Sequence, residues 1–259
     1  MGGKISLASP PWLYGKAGMK LLQVKELTVC FGALHAVNEL SFELEKGEIF
    51  GIAGPNGAGK STVFNAITGF YKHSGDVIFD NMRISGLRPH QICHRGIART
   101  FQIPQFVSTL PLLDNIKAGA IFGGRSRGAE SEKQTTMELI EFLRLEGKEN
   151  IIASHLSLYD KKRTMLGASL ATKPKLLLVD EPTSGLSPTE TTEFVTLLQR
   201  INKELGLSII IIEHLMKVLT KLARRLLIMQ EGAKICIGSP GEVIKDERVI
   251  RIYLGSAHA

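Results

Sequence analysis

Apolar and polar residues alternate one by one near the start of the chain, a period of two that is typical of strands with one buried face. Two such runs, at residues 21–31 and 37–44, predict a pair of antiparallel strands, and residues 45–47 form the turn that follows. A short apolar run at residues 48–53 then leads into a glycine-rich loop and a helix. Strand character returns at residues 75–79 and 83–85.

From about residue 89 the spacing changes to the repeat of three and four residues that indicates helices with one apolar face. The polar, glycine-containing stretch at residues 123–132 predicts a loop between two of these helices. The predicted helices cover residues 90–95, 112–121, 133–145 and 161–170.

The final part of the chain alternates apolar runs with helical segments. The runs at residues 175–179 and 208–212 contain almost no polar residue, which is typical of strands covered on both faces in a parallel sheet. Strands separated by helices predict an α/β fold, and the helical middle segment is therefore an insertion into an α/β core. The remaining predicted elements are helices at 189–205, 215–222 and near 240–253, and strands at 225–230 and 233–237.

The composition is that of an ordinary globular chain, with 259 residues of which 44% are hydrophobic and 22% charged. No apolar stretch approaches the roughly 18 residues that indicate a membrane-spanning helix. Three scattered cysteines, without metal-binding spacing, indicate a reducing compartment such as the cytosol. The net charge of +7 fits nucleic acid, an anionic membrane face or an acidic partner, but no basic cluster interleaved with aromatic residues supports nucleic acid.

Residues 1–18 differ from the rest of the chain. They contain lysines without any acid, and the pair Pro10 and Pro11 interrupts the apolar core that a secretory signal needs. We therefore expect residues 1–18 to form a flexible extension, and residues 19–259 to form a single folded domain that begins at Met19.

The glycine-rich loop after the third predicted strand matches the pattern G-x-x-x-x-G-K-[ST]. Its glycines let backbone N–H groups curl around phosphate oxygens at a helix N-terminus, which favours anions. We expect Lys60 to reach the β- and γ-phosphates of a nucleoside triphosphate, and the Ser61 hydroxyl to bind Mg²⁺. The predicted nucleotide-binding residues of this P-loop are Gly54, Pro55, Asn56, Gly57, Ala58, Gly59, Lys60, Ser61 and Thr62.

Two acids follow the apolar run at residues 175–179. Asp180, at the carboxyl end of that predicted strand, can hold Mg²⁺ through water, and Glu181 can polarise an attacking water. Alone, such a pair is usually a helix cap or a solvated turn, but beside a P-loop both residues become candidates for catalysis. His214, just after the predicted strand 208–212, joins Glu181 as the second candidate catalytic residue and as a sensor of the γ-phosphate.

The order of these motifs over about residues 20–255 resembles that of the ATPase subunits of ABC transporters. A GTPase is disfavoured because residues 202–205, Asn-Lys-Glu-Leu, lack the final aspartate of a guanine-binding motif. The matching segments are the P-loop, Phe101 and Gln102 (Q-loop), residues 176–182 (Leu-Leu-Leu-Val-Asp-Glu-Pro), residues 184–187 (D-loop), Glu213 and His214 (switch histidine), and Phe31 (the aromatic residue that stacks on adenine).

The resemblance implies a P-loop α/β core with an antiparallel β subdomain and an inserted helical subdomain at about residues 85–170. It implies ATP and Mg²⁺ as cofactors, with Ser61, Gln102 and Asp180 around the metal and Gln102 also beside the nucleotide. It further implies a peripheral position on the cytoplasmic face of the cell membrane, transmembrane permease subunits as partners, and a second ATPase subunit with ATP sandwiched between the two.

Three finer stretches, at residues 96–102, 213–216 and 249–255, resemble the ATPases of branched-chain amino-acid importers, whose complexes include an extracytoplasmic substrate-binding protein. ATPases for urea or amide uptake and for lipopolysaccharide export have similar residues in these stretches, so these cargoes stay as alternatives. An ABC-type ATPase acting on nucleic acid or ribosomes is disfavoured because the chain has neither a long coiled-coil insertion nor a second ATPase domain.

Residues 156–160, here called the signature segment, occupy the place of the family motif Leu-Ser-Gly-Gly-Gln that faces the partner's ATP. Ser157 is retained, but Tyr159 occupies the position of the closing glycine and Asp160 occupies that of the glutamine. We expect the ring of Tyr159 to hinder close approach of the backbone, and Asp160 to add a negative charge near a phosphate. This predicts either a heterodimer with one competent and one impaired ATP site, or a regulatory pseudo-ATPase.

Overall fold

The computed structural model describes residues 18–123 and 128–255, with side chains as far as residue 253. Residues 1–17 of the predicted extension at 1–18, and residues 124–127 in the predicted loop, lie outside the described residues. Within the two described ranges, no helix combines the length and the apolar character that crossing a membrane requires.

The strands, in chain order, are β1 (Lys20–Phe31), β2 (Leu34–Glu45), β3 (Ile49–Ala53), β4 (Ser74–Phe79), β5 (Met82–Arg83), β6 (Ile97–Arg99), β7 (Leu176–Asp180), β8 (Ser208–Ile212), β9 (Arg225–Gln230) and β10 (Ala233–Gly238). The helices are α1 (Lys60–Ile67), α2 (Pro89–Arg95), α3 (Leu112–Phe122), α4 (Ala129–Phe142), α5 (Leu158–Ala171), α6 (Pro188–Leu205), α7 (Met216–Leu222), α8 (Pro240–Val243) and α9 (Glu247–Gly255). A short 3₁₀ turn, Ala153–His155, precedes α5.

Two sheets form the frame of the molecule. The first is antiparallel, in the order β2-β1-β4-β5. The second has the order β10-β9-β3-β8-β7-β6, and all neighbours pair in parallel except β10 with β9. These arrangements confirm the predicted α/β core with a mostly parallel sheet and a separate antiparallel β subdomain.

The continuous apolar runs in the sequence have a simple cause in the second sheet. Every residue of β3, β7 and β8 is buried. Successive side chains of a strand point to opposite faces, and in β7 Leu176 and Leu178 pack into one hydrophobic core while Leu177 and Val179 pack into the other. Both faces of the sheet are therefore covered.

Some element boundaries differ from those predicted. The strand β6 lies inside the segment predicted to be helical; its three residues are too few to show a period, and only pairing with β7 defines it. The helix α4 begins at Ala129, within the predicted loop. The predicted last helix is divided into α8 and α9, which residues 244–246 separate; Asp246 Oδ1 accepts the Arg248 N–H (2.9 Å) at the start of α9.

The start of α5 is held by a buried network centred on Asp160. Its carboxylate, only 6% exposed, accepts a hydrogen bond from Lys148 Nζ (2.7 Å) and forms an ion pair with the Arg163 guanidinium. The same guanidinium donates to the carbonyls of Leu143 (2.9 Å) and Arg144 (2.8 Å), just after α4. Burial raises the pKa of Asp160, but the bonds from Lys148 and Arg163 outweigh it, so the pKa lies below its usual value.

We predict that Asp160→Ala lowers the free energy of unfolding by about 3–5 kcal/mol, because it leaves Arg163 buried without its counter-charge. Urea unfolding at pH 7 measures this loss. The control is Asp76→Ala, since the ion pair of Asp76 with Arg83 is exposed and its loss costs less than about 1 kcal/mol.

The same substitution has a predicted pH dependence. A carboxyl group whose pKa is depressed by folding stabilises the protein above its unfolded pKa of about 3.9, and this stabilisation is lost as the pH falls through the folded value. The difference between wild type and Asp160→Ala should therefore stay constant from pH 7 to about pH 5 and shrink below about pH 4. A difference that is undiminished at about pH 2 would contradict the assignment.

Candidate functional site

The P-loop connects the end of β3 to the start of α1, as the sequence predicts. Gly59 has a left-handed backbone (φ 92°), and a Cβ there would lie 2.2 Å from the Ala36 carbonyl oxygen. Only glycine permits this approach. Because Ala36 belongs to β2, the contact also places the hairpin that carries Phe31 beside the P-loop.

The side chain of Lys60 is buried and folds back toward the first residues of the P-loop. Its Nζ donates to the carbonyl oxygens of Gly54 (2.9 Å) and Pro55 (2.8 Å). Burial lowers the pKa of Lys60, and the nearby carboxylates of Glu181 and Asp180 only partly oppose this shift. The ammonium group therefore lies between the P-loop and both predicted acids, where it can exchange two carbonyls for phosphate oxygens.

Asp180 ends β7 with one oxygen paired and one unpaired. Oδ2 lies 2.9 Å from Arg99 Nη2, whereas Oδ1 is buried and has no hydrogen-bond partner among the described residues. Burial raises the pKa of Asp180, and the Arg99 ion pair offsets this only in part. The unpartnered carboxylate oxygen of Asp180 and the exposed residue Ser61 offer the oxygen donors that a hydrated Mg²⁺ prefers.

The Glu181 carboxylate contacts two other predicted site residues, Gln102 and His214. Its Oε2 accepts a hydrogen bond from Gln102 Nε2 (2.5 Å), and its Oε1 lies 2.6 Å from His214 Nε2. Because a carboxylate only accepts, His214 carries a proton on Nε2 in this contact. Glu181 also has a left-handed backbone (φ 43°), which is uncommon for a residue other than glycine. The side chain is thus held in place from both sides.

Glu181, Gln102 and His214 line one open cavity of about 610 Å³. Its walls are formed by Gly54, Pro55, Asn56, Gln102, Glu181, His214, Ile252 and Tyr253. The first residues of the P-loop therefore face the candidate catalytic pair across a shared space. The last two residues come from α9, which the sequence did not connect with the site.

Motif analysis of the sequence also did not single out Arg99. Its guanidinium binds Asn65 Oδ1 (2.5 Å) and Asp180, and it lies over the rings of Phe101 (4.9 Å) and Phe64 (5.4 Å). The only signal in the sequence is a charged residue at the end of an apolar triplet before the Q-loop. Arg99 therefore links Asp180 to Phe101, the residue that precedes Gln102.

Phe31 ends β1 with its ring 48% exposed, in an edge-to-face contact with Tyr71 at 5.2 Å between ring centroids. An exposed ring beside a P-loop is compatible with stacking on a base. The adenine contact of Phe31 stays a prediction.

The signature segment differs from the expectation in where its side chains point. Asp160 is buried and neutralised by Lys148 and Arg163, so its charge does not face outward. The Tyr159 ring lies under the Arg163 guanidinium (4.3 Å) and beside Phe194. Burial, together with a hydrogen bond to Glu193, raises the pKa of Tyr159 to about 12.

The exposed part of this segment consists of Ser157 and Leu158. The Ser157 hydroxyl caps α5 by accepting the Asp160 N–H at 3.1 Å. Leu158 lies against Gly185 of the predicted D-loop, where an added Cβ would meet Leu158 at 2.9 Å. The helix start that could face a partner's nucleotide therefore carries a serine and a leucine.

Two family models match the chain. A model described as ABC transporter covers residues 37–184, and a model described as branched-chain amino acid ATP-binding cassette transporter covers residues 233–259. The first spans the P-loop, the Q-loop and both acids.

Three relatives align with this chain over almost their whole length. The high-affinity branched-chain amino acid transport ATP-binding protein LivG of Salmonella typhimurium is 36% identical, over 92% of this chain and 98% of its own length. LivG of Escherichia coli is 34% identical and BraF of Pseudomonas aeruginosa 32%, with the same coverage.

Solved structures agree with the fold. A nucleotide-free ATP-binding cassette from an ABC transporter superposes with a TM-score of 0.84 at 30% identity, over 91% of this chain and 99% of that one. A dimeric cassette in a post-hydrolysis state with ADP and Pi superposes at 0.76 and 25% identity, over 85% of this chain and 99% of that one. The chain therefore belongs to the ABC transporter family, in which it is an ATP-binding cassette with ATPase activity.

Proposed function

We propose that this ATPase powers the import of branched-chain amino acids from the cytoplasmic face of the cell membrane. The observation that carries the proposal is the match of residues 233–259 to the branched-chain amino acid model, beside similarity to LivG and BraF over almost the whole chain. In this proposal residues 19–259 act as one domain, with the helical subdomain at about residues 85–170 inserted into it.

Hydrolysis is assigned to residues that already lie together. Lys60 and the P-loop backbone bind the phosphates, and Phe31 contacts adenine. Ser61, Asp180 and Gln102 would hold Mg²⁺, which would supply neutralisation of charge on the phosphates when bound. Glu181 accepts a proton from the attacking water, and His214 keeps its carboxylate oriented through the 2.6 Å contact.

We predict that Glu181→Gln lowers ATP turnover at least about 100-fold, because an amide cannot accept the proton of the attacking water. ATP affinity should be retained, since the amide keeps the size of the side chain. Steady-state hydrolysis and equilibrium ATP binding of the complex measure the two effects.

Glu204→Gln is the matched control, because Glu204 is exposed and its ion pair is with Arg200 of the same helix, α6. Turnover that survives Glu181→Gln would contradict the assigned base. Tight ATP binding with no turnover in wild type, with or without partners, would instead support the regulatory pseudo-ATPase.

Permease subunits are the proposed membrane partners, and an apolar groove next to the Q-loop is their proposed contact. The groove holds about 380 Å³ and includes Phe70, Phe101 and Met165. Ile103 and Phe122, which are 72% and 76% exposed, add apolar surface. Phe101 also touches Arg99, the partner of Asp180, so motion at this groove has a short route to the ATP site.

An extracytoplasmic substrate-binding protein completes the proposed importer, and nucleic acid is not a proposed partner.

We further propose that a second ATPase subunit pairs with this chain and supplies an intact signature motif. The P-loop, Glu181 and His214 of this chain would then form the competent site. The partner's nucleotide would face Ser157 and Leu158, where a leucine side chain takes the place of a glycine and restricts close approach of the backbone.

We predict unequal contributions of the two sites in the purified transporter. Glu181→Gln in this chain should remove most of the turnover, whereas the equivalent substitution in the partner should leave most of it. Single-turnover hydrolysis in both variant complexes measures the difference, and the double variant gives the background. Equal losses from the two substitutions would overturn the asymmetric arrangement.

Uptake of labelled leucine by the reconstituted complex, compared with labelled urea, tests the cargo. Urea uptake without leucine uptake would favour the alternative importer, and outward transport of lipopolysaccharide would favour the export alternative.

A further inference from the structure

The C-terminal helix α9 is part of the molecule to which the hydrolysis chemistry assigns no role. Val249 is 3% exposed and anchors the helix in the larger hydrophobic core, and Ile252 and Tyr253 pack against the same core. The family model specific to branched-chain transporters covers this helix, whereas the general ABC transporter model ends at residue 184. The helix is therefore fixed on the core and lies in the segment that the branched-chain model matches.

This helix reaches the nucleotide cavity. Ile252 and Tyr253 line this cavity together with the P-loop residues Gly54, Pro55 and Asn56. A segment near the far end of the chain thus contributes to the same space as the beginning of the P-loop.

The Tyr253 hydroxyl is buried and lacks a complete hydrogen bond. It makes no fully formed hydrogen bond among the described residues. Tyr253 and Gly54 line the same cavity. The backbone N–H of Gly54 is the polar group that acts on the hydroxyl, because burial raises the pKa of Tyr253 and this N–H opposes the rise.

Gly54 is the residue through which this contact bears on ATP. A Cβ at Gly54 would lie 2.1 Å from the Met229 carbonyl oxygen, so its backbone is pressed against β9. On the other side, its carbonyl accepts a hydrogen bond from Lys60 Nζ at 2.9 Å. To reach phosphate oxygens, Lys60 has to release the Gly54 and Pro55 carbonyls, and the start of the P-loop then loses two hydrogen bonds.

We propose that Tyr253 is a positioning residue of the ATP site, whose hydroxyl accepts a full hydrogen bond from the Gly54 N–H when Lys60 turns to the phosphates. The bond holds the beginning of the P-loop against β9 and favours the conformation that binds ATP. This inference rests on ATP binding at the P-loop but not on the identity of the cargo or of the second ATPase.

The test compares the full chain with Tyr253→Phe, which removes only the hydroxyl, and with Ile250→Ala as the control. Ile250 lies on the same helix, is 39% exposed, and does not line the cavity. Isothermal titration with Mg-ATP gives the affinity, and thermal unfolding without nucleotide gives the stability. We expect Tyr253→Phe to weaken ATP binding about 3- to 10-fold, the effect of one neutral hydrogen bond, and Ile250→Ala to bind like wild type.

The melting temperature without nucleotide should be the same for Tyr253→Phe and wild type, because the bond forms only with ATP. Unchanged ATP affinity in Tyr253→Phe would overturn the inference. A lower melting temperature with a matching loss of affinity would also overturn it, because it would show a structural role alone. Wild-type protein that binds no ATP would mean that the proposed function itself fails.

Discussion

The hydrogen-bonded ladder between β7 and its two neighbours determines where the two acids, Gln102 and His214 lie. The parallel register sets Asp180 opposite Ile212 on one side and Leu178 opposite Arg99 on the other. Since parallel strands end at the same edge of a sheet, the residues that follow these strands converge. Glu181, Gln102 and His214 then come within hydrogen-bonding distance, although they are up to 112 positions apart in the chain.

The same edge concentrates buried charge that has to be balanced. The cationic groups are Lys60, Arg99 and Lys162, and the carboxylates are those of Asp180, Glu181 and Glu213. Lys162 donates to the Glu181 carbonyl (3.2 Å), and Glu213 accepts from both the N–H (2.8 Å) and the hydroxyl (2.6 Å) of Thr183. Buried charges without partners would destabilise the fold, so this network supports the structure as well as the chemistry.

The departure from the family signature is compensated within the chain. Tyr159, Asp160 and Arg163 act together: the guanidinium covers the tyrosine ring and neutralises the buried carboxylate. A glycine and a glutamine at these positions would leave Arg163 without that counter-charge. The segment has thus become part of the packing between α5 and α6, and Ser157 and Leu158 are what it presents to a partner.

Features whose physical cause is local could be predicted from the amino-acid pattern alone. The alternation in β1 and β2, the continuous apolar runs of β7 and β8, and the P-loop between β3 and α1 could all be predicted, because the physical cause lies within a few neighbouring residues. The motif order also identified Glu181 and His214 before any contact between them was known.

Which distant groups meet depends on the tertiary structure. β6 is defined by pairing with β7, the Arg99–Asp180 ion pair joins residues 81 positions apart, and Tyr253 and Gly54 line one cavity although they are 199 positions apart. Whether Asp160 points outward or inward likewise depended on Lys148 and Arg163. Periodicity reports the faces of one element, whereas these contacts depend on strand register and helix packing between elements, which no short segment encodes.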